Sequence, residues 1–251
     1  ASFDNIIKYH LEPDIYSFRV LRLFNETAML FRNQGEKIPV HIEFDTGMHR
    51  LGFTGDDIPQ LVELLKADDC VLDVKSIFSH LACSEDPAMD DFTRQQIDKL
   101  RQWGNRLKEQ LGNPSIMCHI LNSSGITRFP EAQMDMVRLG IGLYGIAPEP
   151  EIQAQLTSVS RVKTRVSQVK SIPIHDSVGY NRRWIAQRDS RIAIIPIGYA
   201  DGLSRRLGYG NGKVVINNQE APIIGSICMD MCFVDVTDIQ CAEGDEVVIF
   251  G

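Results

Sequence analysis

The periodicity of the chain changes character near residue 155, and that change limits the folds open to it. Before this point strands and helices alternate. PVHIEFDT is followed by DIPQLVELLKADD, VLDVKSIFSHL by the long amphipathic DPAMDDFTRQQIDKLRQWGNRLKEQLG, and SIMCHILN comes next. Strands separated by helical stretches of this kind call for a parallel sheet with crossover helices. The earlier YSFRVLRLFNETAMLFRNQG is a further helix, with Gly35 standing where a glycine C-cap is expected. After residue 155 the helical period vanishes. SVSRVKTRVSQVKSIPI, RIAIIPIGYADG, GKVVINNQEAPIIGSICMDMCFVDVTD and DEVVIFG alternate at strand spacing, broken by turns at HD, GYGNG and NNQ, which reads as all-β. Residues 1–155 and 156–251 are therefore expected to form an α/β domain and a β domain.

The first of these is short for a closed (β/α)8 barrel, which takes roughly 200 to 250 residues. Either its sheet is open or the chain enters a barrel partway round, and both chain ends read as cuts. In HIEFDTGMHRLGF the alternation puts Val40, Ile42 and Phe44 on one face and His41, Glu43 and Asp45 on the other. Ionisable groups on an inner strand face are costly to bury without a task. In a barrel they would line the lumen, with Thr46 to Arg50 at its mouth.

Composition excludes several classes of function. The net charge of −7 includes no basic run and no arginine-aromatic interleaving, so no electrostatic footprint for nucleic acid is present. No window approaches the roughly 20 apolar residues of a membrane span, and the opening ASFDNIIKYHLEP is neither a signal nor a transit peptide, which points to the cytoplasm. Cys70, Cys83, Cys118, Cys228, Cys232 and Cys241 form no C-x-x-C pair, and the histidines lack metal-ligand spacing, so neither a disulfide framework nor a metal site is expected.

Taken in order, DTGMHRLGF, FSHLACSEDP, LNSSGI, VRLGIGLYG, VGYNRRW, IPIGYADG and GSICMD resemble the motifs of alanine racemases, pyridoxal-phosphate enzymes of fold type III. The resemblance runs from about residue 38 to the end and implies a (β/α)8 barrel followed by a β domain, with sites shared across a homodimer. It implies that Tyr180 is the catalytic base for one face of the alanine Cα, supplied by the neighbouring subunit. A tyrosine, with a reference pKa of about 10, needs nearby positive charge or hydrogen bonds for that task. By the same resemblance His80 lies between Tyr180 and Arg138, and Arg138 faces the pyridine nitrogen of the cofactor. Ser123, beside Asn122, and the backbone N–H groups of Gly140 and Ile141 would hold the phosphate. Arg50, helped by the backbone N–H of Met229 from the partner chain, would clamp the substrate carboxylate, and Tyr199 would line the entryway.

The chain departs from the family pattern in three places. The A-x-x-K-A-x-A-Y-G-x-G motif that carries the cofactor lysine is absent, so residues 1–251 alone are expected not to racemise. Glu43 stands where many members carry a carbamylated lysine that orients the substrate-binding arginine. Glu43 and Arg50 are therefore expected to pair, with a water or chloride bridging any gap. Ser226 replaces an arginine found in some members. The implied function is interconversion of L- and D-alanine for bacterial peptidoglycan. The alternatives are a broad-specificity or serine racemase, or a non-catalytic racemase-like domain of a larger polypeptide, with fusion behind a Mur-type ligase as one arrangement.

Overall fold

The computed structural model describes residues 3–33 and 35–251, and the chain divides after Thr157 into two compact units. The first begins with α1 (Phe3–Lys8), β1 (Asp14–Ile15) and α2 (Phe18–Phe31). It continues with β2 (Ile38–Glu43), α3 (Ile58–Leu65), β3 (Leu72–Phe78), α4 (Asp90–Leu111), β4 (Met117–His119) and α5 (Ser123–Arg128). The strands form one parallel sheet in the order β1-β2-β3-β4. Each strand lies beside its predecessor, which is the sequential winding of a (β/α) barrel and not the reversing order of a doubly wound sheet. The unit is thus a four-stranded arc of barrel wall.

Local chemistry explains the helices. Ser17, in extended conformation, caps α2 by accepting a 3.3 Å hydrogen bond from the N–H of Val20, and Leu21, Phe24 and Ala28 are buried along one stripe. α2 stops at Phe31, earlier than a glycine C-cap at residue 35 requires. Arg32 is already extended and donates to the carbonyl of Glu36, while the Glu36 carboxylate accepts from Asn33. These side-chain bonds tie Arg32 and Asn33 to Glu36 beyond the helix, and Gly35 takes φ +84. α4 ends where a glycine cap is expected, at Gly112 with φ +69. Its inward stripe includes the buried Gly104, where an added Cβ would sit 3.1 Å from Cys118 Sγ, so the missing side chain brings helix and sheet together. The core fills the layer between sheet and helices with Ile15, Val40, Ile42, Phe44 and Ile77 meeting Ile58, Leu61, Leu100 and Leu107.

The second unit contains β5 (Val162–Arg165), β6 (Gln168–Ile172), β7 (Ser177–Val178), β8 (Trp184–Ile185), β9 (Ser190–Ile195), β10 (Lys213–Ile216), β11 (Gln219–Ile224), β12 (Cys232–Asp235) and β13 (Glu246–Phe250). Seven of these form an antiparallel sheet in the order β5-β13-β10-β11-β12-β9-β6. Val214, Ile216, Ala221, Ile223, Val234, Ala193 and Ile195 fill its inner face. Val178, Ile192 and Ile224, with Trp184 and Phe233, make a small second core under the β7-β8 hairpin. Among the described residues no helix is long and apolar enough to cross a membrane.

Candidate functional site

The C-terminal ends of β3 and β4 bring Ser79, His80, His119 and Arg138 together. The Arg138 guanidinium donates to Nδ1 of His119, to the carbonyl of Ser79 at 2.6 Å and to Nδ1 of His80 at 3.2 Å. It also lies 4.9 Å above the Phe78 ring, which itself stacks on His119 at 5.1 Å. Guanidinium has no acceptor, so both histidine Nδ1 atoms accept and their protons sit on Nε2. Burial and then the Arg138 charge hold His80 below the ordinary histidine range, and the same causes push His119 down to about 4. Burial lowers Arg138 from its ordinary value, opposed by Glu43 and Asp14. The result is a cation held by neutral imidazoles and one carbonyl, with Nε–H and one further N–H of its fork uncommitted.

Glu43 is buried at the end of β2, and its Oε1 lies 4.0 Å from Nη2 of the half-exposed Arg50. That separation is too long for a direct hydrogen bond, so the two interact as charges. Asp45, on the same face of the sequence pattern, turns back instead and accepts from the N–H groups of Gly47 and His49, both at 2.9 Å. A residue that the sequence pattern did not single out joins Glu43. Asp14 of β1 lies within hydrogen-bonding reach of it, its Oδ1 is buried with no partner among the described residues, and burial followed by Glu43 raises its carboxyl to about 8. At neutral pH Asp14 therefore keeps its proton beside Glu43, near Arg50 and Arg138.

The proton kept on Asp14 has a measurable consequence. Asp14 keeps its proton in the fold but releases it in the unfolded chain above about pH 4, so its contribution to stability is lost progressively from about pH 4 to about pH 8. Asp14→Asn keeps a donor to Glu43 without that loss. Its stability from urea unfolding is expected to match the unsubstituted protein near pH 4 and to exceed it at pH 8 by about 1–3 kcal/mol, discounted for partial exposure. Parallel stability curves over the whole range would disprove the retained proton on Asp14.

Ser123, the first residue of α5, accepts at its Oγ from the N–H groups of Gly140 at 3.0 Å and Gly142 at 3.1 Å. Gly142 leaves room for this: a Cβ there would stand 2.9 Å from Leu139 Cδ1 and 3.5 Å from Ser123 Oγ. Among the described residues the N–H of Ile141 has no partner. Asn122 caps α5, accepting from Gly125 N at 3.0 Å and from Ser84 Oγ at 2.7 Å, so its side chain positions the turn. Nearby lysines are engaged elsewhere, Lys75 with Asp73, Lys108 with Asp135 and Lys99 with the Thr46 carbonyl.

In the second unit Tyr180 stands in the turn between β7 and β8, after Gly179 at φ +77 and before Asn181 and Arg182 at φ +60 and +50. Successive left-handed non-glycine residues are strained. Arg182 Nε holds the turn through Ser177 Oγ at 2.8 Å, and Ser226 donates to the Tyr180 carbonyl at 3.3 Å. The Tyr180 side chain is left 69% exposed. Ser226 also meets the hydroxyl of Tyr209 at 3.1 Å. Tyr199 and Met229 are neighbours: the N–H groups of Tyr199 and Ala200 donate to the carbonyls of Cys228 and Met229, both at 3.0 Å. A Cβ on Gly198 would lie 2.1 Å from the Met229 carbonyl oxygen, so only glycine permits this approach. Among the described residues the N–H of Met229 has no partner.

Residues 1–148 match the model of the family "Alanine racemase, N-terminal domain", and residues 159–251 that of "Alanine racemase, C-terminal domain". Alanine racemase 1 of Clostridium acetobutylicum is 36% identical over 254 residues, covering 99% of this chain and 64% of the relative. Alanine racemase 2 of Caldanaerobacter subterraneus is 37% identical, covering 92% of this chain and 60% of the relative. The chain thus spans about three-fifths of the length of these curated relatives. The structure is similar to alanine racemase from Streptomyces lavendulae, with a TM-score of 0.90 at 27% identity over 100% of this chain and 66% of that one. It is also similar to alanine racemase from Bartonella henselae with covalently bound pyridoxal phosphate, with a TM-score of 0.78 at 30% identity over 99% of this chain and 66% of that one.

Proposed function

Because the chain belongs to the alanine racemase family, we propose that it serves the interconversion of L-alanine and D-alanine with pyridoxal 5'-phosphate. The observation that carries this reading is the Arg138 cation held between neutral His80 and His119, on the same unit as the Ser123–Gly140–Gly142 turn. The donor set fits the cofactor's two polar ends: the Ser123 hydroxyl and the Ile141 N–H suit a phosphate, and the spare Arg138 donors suit a ring nitrogen. When bound, pyridoxal phosphate supplies an electron-accepting ring that acidifies the Cα–H of an amino acid.

The chain's own residues divide the remaining tasks. Arg138 would hold a ring nitrogen by donating an N–H that it does not surrender, and a ring so held would be a modest electron sink. Arg50 binds the substrate carboxylate as a planar fork, with the Met229 N–H as a second donor, and Glu43 with Asp14 supplies the charge that steadies it. Tyr180 removes or returns the proton on one face. His80, bearing its proton on Nε2, is the donor that makes the phenolate accessible. In this reading Tyr180, Tyr199 and Met229 act on the site of a second copy in a homodimer, and the enzyme works in the cytoplasm supplying D-alanine for peptidoglycan. The base for the other face is a lysine, whose motif has no counterpart in residues 1–251.

The test is an assay of the protein expressed from its complete reading frame, loaded with pyridoxal phosphate and given L-alanine in D2O. D-Alanine is expected to appear with deuterium at Cα, whereas residues 1–251 alone give none. Failure of the complete product to exchange the α-proton of either enantiomer would overturn the assignment.

A further inference from the structure

The proposed reaction leaves unused a set of groups on the parallel sheet. Four polar residues there run in line away from Arg138, crossing from β4 to the segment before β1. His119 Nε2 lies 3.0 Å from the fully buried Ser76 Oγ, Ser76 Oγ lies 2.6 Å from His41 Nδ1, and His41 Nε2 lies 2.9 Å from Glu12 Oε2. We propose that Ser76, His41 and Glu12 are positioning residues for Arg138, forming with His119 a one-way hydrogen-bond relay that fixes the guanidinium from behind.

The direction of the relay follows from its ends. Arg138 can only donate, so His119 accepts at Nδ1 and must carry its proton at Nε2. That proton goes to Ser76 Oγ, which has one proton of its own and gives it to His41 Nδ1. His41 then carries its proton on Nε2 and donates it to Glu12, a carboxylate that only accepts. Starting from Glu12 and a neutral His41 gives the same assignment. Every joint has one donor and one acceptor, and no member is left over.

Adding a proton breaks the pattern at either imidazole. Protonated His119 would aim an N–H at the guanidinium; burial and then the Arg138 charge hold its titration near 4. Protonated His41 would present a donor to Ser76, leaving the serine proton without an acceptor. The register makes the line continuous: His41 pairs with Ser76 across β2 and β3, and His119 stands opposite Phe78 across β3 and β4, two residues further on the same face. The relay thus ties a part-buried cation to Glu12, which is about half exposed.

The relay explains how a guanidinium with neutral neighbours keeps a single orientation, and its role in catalysis rests on the reading that Arg138 meets the cofactor ring. Its existence does not rest on that reading and is tested without cofactor. In protein labelled with 15N at histidine and arginine, long-range 1H–15N correlation spectra are expected to show His119 and His41 as Nε2–H tautomers, with His119 neutral down to about pH 5. Ser76→Ala should shift the ring nitrogens of both histidines together with the Arg138 Nε–H signal. Glu12→Ala, at a surface site where folding is not at stake, should shift His41 and His119, and Glu12→Gln, which retains an acceptor, should restore both. An Nδ1–H tautomer at either histidine overturns the relay, whether or not the serine variant folds. Histidine shifts without any change at Arg138 overturn its positioning role. If the complete reading-frame product fails to bind pyridoxal phosphate while these tautomers are found, the functional reading falls and the relay stands.

Discussion

Gly52→Ala is expected to destabilise the N-terminal unit by more than about 3 kcal/mol, from steric overlap, left-handed strain and lost pairing together. Gly52 has φ +120, and a Cβ there would lie 2.5 Å from Asp45 N and 2.6 Å from Phe44 C. Those are backbone atoms, so no rotamer change relieves the overlap. The obstructed contact closes the loop that carries Arg50: Phe53 N donates to the Glu43 carbonyl and Asp45 N to the Phe53 carbonyl, both at 2.8 Å. Opening it also exposes Phe44 and Phe53, which are almost fully buried, and separates Phe53 from the edge of Phe18 at 5.0 Å. Trp103 reports on the change, since its ring lies against Gly55 at the far end of the same loop and 5.8 Å from Phe44. Urea unfolding followed by Trp103 fluorescence in a Trp184→Phe background measures the loss. Gly112→Ala is the control: its φ is +69 but nothing lies within 4 Å of the added atom, so only about 1 kcal/mol of left-handed cost is expected. Equal midpoints for the two variants would mean that the loop yields easily and that Arg50 is not held by it.

The same loop shows what could be read without coordinates. The alternation in PVHIEFDT marks β2 because a half-buried strand needs it, and the 3.6-residue stripe of DDFTRQQIDKLRQWGNRLKEQL marks α4 because Ile97, Leu100 and Leu107 must face one sheet. Sequence pattern does not reveal β1, since a two-residue strand has no period to detect. It misplaces the end of α2 because the Arg32, Asn33 and Glu36 bonds that end the helix become visible only in three dimensions. For the candidate site, local pattern offers little. Tyr180 sits in a turn whose left-handed backbone at Asn181 and Arg182 has only the asparagine as a hint. The resemblance of ordered motifs, and not periodicity, singles out Tyr180, His80 and Arg138. Neither marks His119 or Asp14. Each draws its character from a neighbour distant in sequence, Arg138 for the histidine and Glu43 for the acid, and such pairings exist only once the strands are in register.

Tyr180→Phe, made in the protein expressed from its complete reading frame, is expected to slow racemisation by about 10²- to 10⁴-fold, the usual contribution of a positioned acid-base group. That corresponds to about 3–5.5 kcal/mol of transition-state free energy, comparable to the Gly52 effect but without loss of fold. The turn is held by backbone and neighbouring side chains, through the Ser226 bond to the Tyr180 carbonyl and the Arg182 bond to Ser177. The phenol itself is mostly exposed within its own chain, so removing one oxygen leaves the small core of Val178, Trp184 and Phe233 intact. The mechanism makes a sharper demand than a fall in rate. A base that serves one face of Cα should, when lost, suppress α-proton exchange in D2O from one alanine enantiomer far more than from the other. A purely structural role would lower both together. The comparison is therefore the ratio of the two exchange rates, measured beside His80→Gln, which removes the proposed partner of the phenolate and should move that ratio in the same direction. Racemisation within about threefold of the unsubstituted rate, a difference below about 1 kcal/mol, would remove Tyr180 from the chemistry and leave its strained turn without a catalytic explanation.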